Sequence, residues 1–198
     1  MFTELSYDIT SDLTLNTGIR YYTFDNTLQG YYGFNANFSD SEGTATCYNN
    51  IPFHGAPCSD LNGRSTGSGN TPKINLQYKI DRDRMVYATW SKGFRPGGVN
   101  RNGGGTIPPY KPDYLSNYEI GWKTTWLDNR FRWNGAFFYE KWKDFQFSYL
   151  GANALTIIAN AGEASIKGIE SDLEFQVVQG LTVSGGFAYL NEIGRAHV

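Results

Sequence analysis

Apolar and polar residues alternate one for one through eight runs of this chain, and the runs come in pairs. The first run covers 2–9, with Leu5, Tyr7 and Ile9 on one face and Glu4, Ser6 and Asp8 on the other; the second covers 13–24. The third (72–80) sets Ile74, Leu76, Tyr78 and Ile80 against Lys73, Asn75, Gln77 and Lys79, and the fourth covers 84–95. The fifth (114–126) sets Tyr118, Ile120, Trp122 and Trp126 against Asn117, Glu119, Lys123 and Thr125. The sixth (130–148) sets Phe131, Trp133, Phe137 and Tyr139 against Arg130, Arg132, Asn134 and Glu140. The seventh covers 163–177 and the eighth 181–191. A period of two is the signature of a strand whose faces meet different surroundings, and helical periodicity is absent.

The joints between runs fall into two classes. Thr10-Ser11-Asp12, Asp81-Arg82-Asp83, Leu127-Asp128-Asn129 and Val178-Gln179-Gly180 are tight turns, whereas 25–70, 97–113 and 149–162 are long. Short and long alternate without exception. A sheet built this way is antiparallel and up-and-down, with every tight turn at one end and every long loop at the other. Transmembrane barrels are built so, and their strands need about 9–11 residues to cross a bilayer at a tilt. The expected fold is therefore all-β: an antiparallel up-and-down transmembrane β-barrel segment of about eight strands. Lipid takes the aliphatic and aromatic face, and water takes the Arg, Glu and Asn face. Trp90, Trp122, Trp126, Trp133, Tyr139 and Tyr189 are candidates for the interfacial aromatic girdles. A soluble sandwich with one packed face is the competing reading, but its strands average only about 5–6 residues.

Composition supports β structure. Aromatics make up 16% of the chain, charged residues only 18%, and glycine occurs 23 times. The mean hydropathy of −0.46 reads as water-loving, but the average of an alternating strand hides its two faces. A net charge of −2 supplies no basic field for nucleic acid. No apolar stretch reaches the ~18 residues of a membrane-spanning helix, and "MFTELSYDIT" lacks the basic start and apolar stretch of an export signal. Export would then place that signal upstream. Cys47 and Cys58 lie in a Gly/Asn/Ser/Pro-rich segment with His54 between them. A disulfide, and with it an oxidising compartment, is the favoured reading; two separate thiols and a three-ligand metal site remain open.

Three segments then carry a resemblance. "YATWSKGFRPGGVN" (87–100), "YKPDYLSNYEIGWKTTWLDNRFRWNGAFFYEKWKDFQ" (110–146) and "NAGEASIKGIESDLEFQVVQGLTVSGGFAYLN" (160–191) resemble, in order, the barrel of TonB-dependent outer-membrane receptors. They cover most of 71–191, and the first 70 residues fit by pattern only. The resemblance implies a barrel of about 22 strands around a plug, of which eight strands are roughly a third. It implies residence in the outer membrane of a Gram-negative bacterium. It also implies import of a scarce nutrient, such as an iron-siderophore complex, energised through TonB. Outer-membrane lipid, the N-terminal plug, TonB and a small-molecule ligand such as a metal chelate are the implied partners, with no nucleic acid, cofactor, resident metal or catalysis. The plug, the TonB-engaging segment and the C-terminal strand are expected outside this chain. Residues 1–191 are expected to form the barrel piece, with 25–70 its long external loop and 192–198 an irregular tail, a truncation or cloning scar. An independent eight-stranded outer-membrane barrel and a secreted carbohydrate-binding sandwich are the alternatives.

Candidate ligand contacts lie on the long loops: Tyr31, Tyr32 and Phe34, then Arg101 and Tyr110, then Asn153. Aromatics stack on flat or sugar-like ligands, and arginine attracts anionic chelates. Glu119, Lys123, Arg132, Glu170, Asp172 and Glu174 are expected to face the lumen. Carboxylate pairs suit acid–base chemistry, but on neighbouring strands opposite charges more commonly brace a wall. "GFRPGG" and "RNGGG" lack the Lys and helix of a phosphate loop; their glycines read as a sharp exit from a strand. "NFS" at 37–39 fits a glycosylation acceptor and carries little weight here.

Overall fold

A computed structural model describes residues 1–31, 52, 54–55, 59, 61–101, 107–151 and 156–195. Its strands are β1 (Phe2–Asp8), β2 (Leu13–Gly30), β3 (Leu61–Lys79), β4 (Arg84–Arg95), β5 (Asp113–Trp126), β6 (Phe131–Lys143), β7 (Gln146–Leu150), β8 (Thr156–Asn160), β9 (Glu163–Val178) and β10 (Leu181–Arg195). Eight of them form one sheet in the order β1-β2-β3-β4-β5-β6-β9-β10, every neighbouring pair antiparallel. β7 and β8 pair separately. β1 and β10 are the two edges and do not pair with each other, so the wall is open and the independent closed eight-stranded barrel is not what forms.

The register aligns the alternation of all eight strands. Tyr7, Leu15, Leu76, Ala88, Ile120, Phe137, Ile169 and Tyr189 stand in one unbroken row of direct partners. The opposite face carries the row Ser6, Asn16, Asn75, Thr89 and Glu119. Among the described residues no second layer covers the apolar face: Ile120 is 65% exposed and Phe137 57%. On β5 the apolar rows run from Tyr118 to Trp126. Eight residue steps span roughly 27 Å along a strand. At a tilt of about 40° that gives about 21 Å of height, near the ~25 Å band of outer-membrane barrels.

Aromatics mark both margins of this band, with Trp90, Tyr118 and Tyr139 in the row nearer the long loops. Trp126, Phe131 and Phe175 form the row nearer the tight turns, with Trp133 one row inside. Trp122 and Tyr189, expected in a girdle, stand at middle height instead. Trp122 lies opposite Gly135, and its ring packs on Trp133 at 5.3 Å and Phe137 at 5.8 Å. Between the two edge strands the backbone oxygens and amides are paired strand to strand, which is what hydrocarbon demands.

Glycines recur directly opposite aromatics. Gly69 faces Tyr22, Gly67 Phe24, Gly121 Tyr87, Gly135 Trp122 and Gly168 Phe138. A Cβ at any of them would meet the opposing ring at less than contact distance. The ring lies flat over the neighbouring backbone because the glycine leaves the space.

The tight turns carry their own chemistry. The Thr10 hydroxyl accepts the amides of Asp12 (3.2 Å) and Leu13 (3.0 Å), and the Asp81 carboxylate accepts the amide of Asp83 at 3.0 Å. Gly180 supplies the left-handed residue of the last turn, with φ 87°.

Two of the long connections hold more strand than their composition predicts. β2 and β3 continue as a two-stranded ribbon from Tyr21↔Asn70 to Gly30↔Leu61, ten pairs, beyond the point where β4 leaves β3 at Lys73↔Ser91. That adds roughly 30 Å of strand, so the connection expected over 25–70 narrows to 31–60. The sixth run, expected unbroken over 130–148, stops at Lys143. Asp144 turns left-handed at φ 53°, and the chain re-enters strand at Gln146 as the β7–β8 hairpin, which takes in the end of the expected run and most of the expected 149–162 loop. The irregular tail expected from 192 is strand through Arg195, paired with Glu163.

Candidate functional site: the rim at the long-loop end

Nearly all the enclosed apolar side chains lie at this end. Tyr22, Leu61, Ile157, Ala161 and Ala164 are buried there, while the wall itself encloses Ala136. The ribbon presents Tyr22, Phe24, Asn26 and Leu28 on one face. Tyr22 stacks on Phe94, Asn26 Nδ2 donates to the Gly97 carbonyl at 2.8 Å, and Val99 fills the space over Gly63. The ribbon therefore leans on segment 94–99. Its exposed margin carries the Asp25–Arg64 ion pair at 2.6 Å. The hydrogen bond from Arg64 and its charge hold the Asp25 carboxyl below the usual carboxylate range.

The "FRPGG" motif ends in a polar knot. Asp113 is 1% exposed and accepts from Arg95 Nε at 2.9 Å, from Arg95 Nη2 and from the Gln146 amide at 3.0 Å. The Arg95 guanidinium also lies over the Trp142 ring at 4.8 Å. Gln146 Nε2 donates to the Pro96 carbonyl at 2.9 Å and the Lys111 carbonyl at 3.0 Å. Asn160 bonds both backbone groups of Lys111, at 2.7 and 2.9 Å. Asn100, 4% exposed, does the same for Ile158: its Nδ2 donates at 2.8 Å and its Oδ1 accepts at 2.7 Å. Each amide side chain substitutes for a missing strand neighbour. Together these bonds fasten the β7–β8 hairpin to the β4–β5 connection.

Arg101 is exposed just beyond this knot, and Tyr31 is half-buried at the end of β2. Tyr110 bridges Gly98 by two backbone hydrogen bonds of 3.0 and 3.1 Å, and its ring occupies the space a Cβ at Gly98 would need. So Gly97 and Gly98 serve close approach to Tyr110 rather than a left-handed exit from the strand; among the described glycines only Gly30, Gly55 and Gly180 have positive φ. Tyr32, Phe34, Asn153, Cys47 and Cys58 lie outside the described residues. Sequence reasoning passed over Asn100 and Asp113. The signal for Asp113 was there: Arg95 and Asp113 sit at the two ends of one connection, where ladder pairing sets them opposite.

On the polar face Arg132 meets Glu174 at 3.7 Å, and Asn134 Nδ2 donates to Asp172 at 2.9 Å. Tyr87 Oη donates to Glu119 at 2.7 Å, and Lys123 Nζ lies over the Tyr87 ring at 6.0 Å. Glu170 stands on the same face, between Ala136 and Ala188. These six residues are spread across the wall rather than gathered.

A one-layer antiparallel wall with an exposed apolar band, a polar reverse and all long loops at one end is a piece of an outer-membrane β-barrel. The chain belongs to the family described as TonB dependent receptor-like, beta-barrel, which it matches over residues 1–196. Members of this family are outer-membrane receptors of Gram-negative bacteria rather than enzymes. The chain is 26% identical to the ferric-pyoverdine 358 receptor of Pseudomonas putida over 128 residues, 60% of this chain and 15% of that protein. It is 23% identical to the pesticin receptor of Yersinia enterocolitica over 181 residues, 90% of this chain and 24% of that protein. Among solved structures, the ferric yersiniabactin uptake receptor FyuA from Yersinia pestis superposes with a TM-score of 0.75 at 19% identity, over 98% of this chain and 26% of that one. The chain thus spans about a quarter or less of the length of these curated relatives.

Proposed function

We propose that this chain forms part of the barrel wall and external rim of a receptor that captures a metal chelate of the siderophore type and imports it, energised through TonB. The observation that carries this reading is the two-faced, two-ended wall of eight strands, together with family membership. Relatives named for ferric-pyoverdine and ferric yersiniabactin support the ligand class. The rim is the capture surface: Arg101 attracts an anionic chelate, and Tyr31, Tyr32, Phe34, Tyr110 and Asn153 shape its surroundings. Glu119, Lys123, Arg132, Glu170, Asp172 and Glu174 face the lumen, where they brace water and the plug. No covalent chemistry is asked of any of them.

The test is uptake by cells that carry the full receptor. Deleting it is expected to abolish energy-dependent accumulation of one radiolabelled metal chelate from a panel, and loss of TonB to abolish it equally. Arg101→Ala is expected to weaken capture about 10-fold, the loss of one charged hydrogen bond. Uptake of every chelate unchanged by the deletion would overturn the reading.

A further inference from the structure

Ala88 is the one small side chain in its eight-strand apolar row. It stands between Leu76 on β3 and Ile120 on β5. Its missing bulk opens a groove of about 600 Å³ on the membrane-facing side, lined by Ile74, Leu76, Ala88, Trp90, Ile120 and Phe137. Trp90, Tyr118 and Tyr139 close the groove toward the long-loop end.

Cations gather directly above that aromatic row. Register places Lys92, Ser116 and Lys141 in the next row, Lys143 one row further beside Tyr114, and Lys167 beside Tyr139, all on the apolar face. The Lys92 ammonium rests over the Tyr114 ring at 4.6 Å. Lys141 and Lys143 share Glu163, at 3.1 and 3.8 Å. Four ammonium groups with one carboxylate among them leave three positive charges in excess, on a chain whose net charge is −2. Lysines often rise to a membrane interface singly. Here they flank one groove on three strands, and β4 to β9 is about 14 Å at the usual strand spacing.

We propose that this patch docks the phosphorylated, acylated glucosamine disaccharide that anchors lipopolysaccharide in the outer leaflet. One acyl chain occupies the groove at Ala88, and phosphates sit on Lys92, Lys141 and Lys167. A headgroup with phosphates at both ends of a disaccharide reaches across the three strand spacings from β4 to β9; a single phosphodiester does not. The placement rests on the long-loop end being external, as in the reading above.

The experiment uses the full receptor in detergent and native mass spectrometry with three probes: hexa-acylated bisphosphorylated lipid A, its dephosphorylated form, and phosphatidylglycerol. The wild type is expected to retain the bisphosphorylated lipid at least 10-fold better than either other probe. Lys92→Gln, Lys141→Gln and Lys167→Gln together are expected to remove that preference. Ala88→Trp, which fills the groove, is expected to weaken retention of all acylated probes while leaving the lysines in place. Unchanged heat-dependent gel mobility establishes that each variant barrel is folded. Equal retention of all three probes by the wild type, or full retention by both folded variants, overturns the proposal. Chelate uptake separates it from the transport reading. A receptor that imports nothing yet holds the lipid through its lysines sinks transport alone; one that imports normally and holds none sinks the docking patch alone.

Discussion

At the residue scale, glycine decides how closely the strands and their rings approach. Gly135 lies beneath Trp122 with the Glu170 carbonyl also 2.8 Å from where a Cβ would stand, so rotating the indole does not relieve the clash. Gly93, by contrast, has open space around it. Gly135→Ala is expected to destabilise the full receptor by about 1–3 kcal/mol, and Gly93→Ala to stay within about 0.5 kcal/mol. Denaturant unfolding midpoints in detergent report the difference, and equal shifts for the two variants would refute the account. Much at this scale was legible from sequence, because an alternating strand declares its faces. The packing of Tyr110 was not: an aromatic in a long loop gives no sign of its neighbour, and only the structure pairs it with Gly98. Asn100 and Asp113 likewise read as ordinary loop polarity until the chain places carbonyls and amides around them.

At the element scale the informative failures are the ribbon and the hairpin. "TFDNTLQG" and "LNGRSTGSGN" are rich in Gly, Ser, Asn and Thr, which reads as loop. They hold as strands because they rise above the lipid band, where both faces accept polar residues. "QFSYL" and "TIIAN" are separated from the main sheet by one left-handed aspartate, a break that periodicity does not register. The bonds at Asp113 and Asn160 are what fix that hairpin. Asp113→Ala leaves the Gln146 amide without its acceptor and Arg95 with the Gln146 carbonyl alone. It is expected to raise proteolytic cleavage within 146–160 about 10-fold, roughly 1.4 kcal/mol of local opening. The transmembrane band should keep its heat-dependent mobility. Limited proteolysis followed by mass spectrometry checks this, and cleavage spread evenly through the wall would show that the knot is not local.

At the scale of the whole molecule, β1 and β10 each leave a row of backbone donors and acceptors without a neighbour. In the full barrel other strands of the receptor cover them; alone, they invite association. Expressed by itself, this chain is expected to enter inclusion bodies and to give no discrete unboiled band after refolding in detergent. A sharp heat-modifiable band would mean that the two edges find each other after all. The eight strands of the wall and their order were readable from eight alternating runs and three tight-loose repeats. That the wall stays open was not, since "TVSGGFAYL" and "FTELSYDI" are compatible as partners by pattern alone.

The outward-facing apolar band has a consequence for how such a wall forms. A water-soluble protein collapses because its oily groups find one another, but here the large apolar side chains of the described strands stand on the outer face. Little in water rewards compaction of such a wall, so its folding is expected to be coupled to its entry into hydrocarbon.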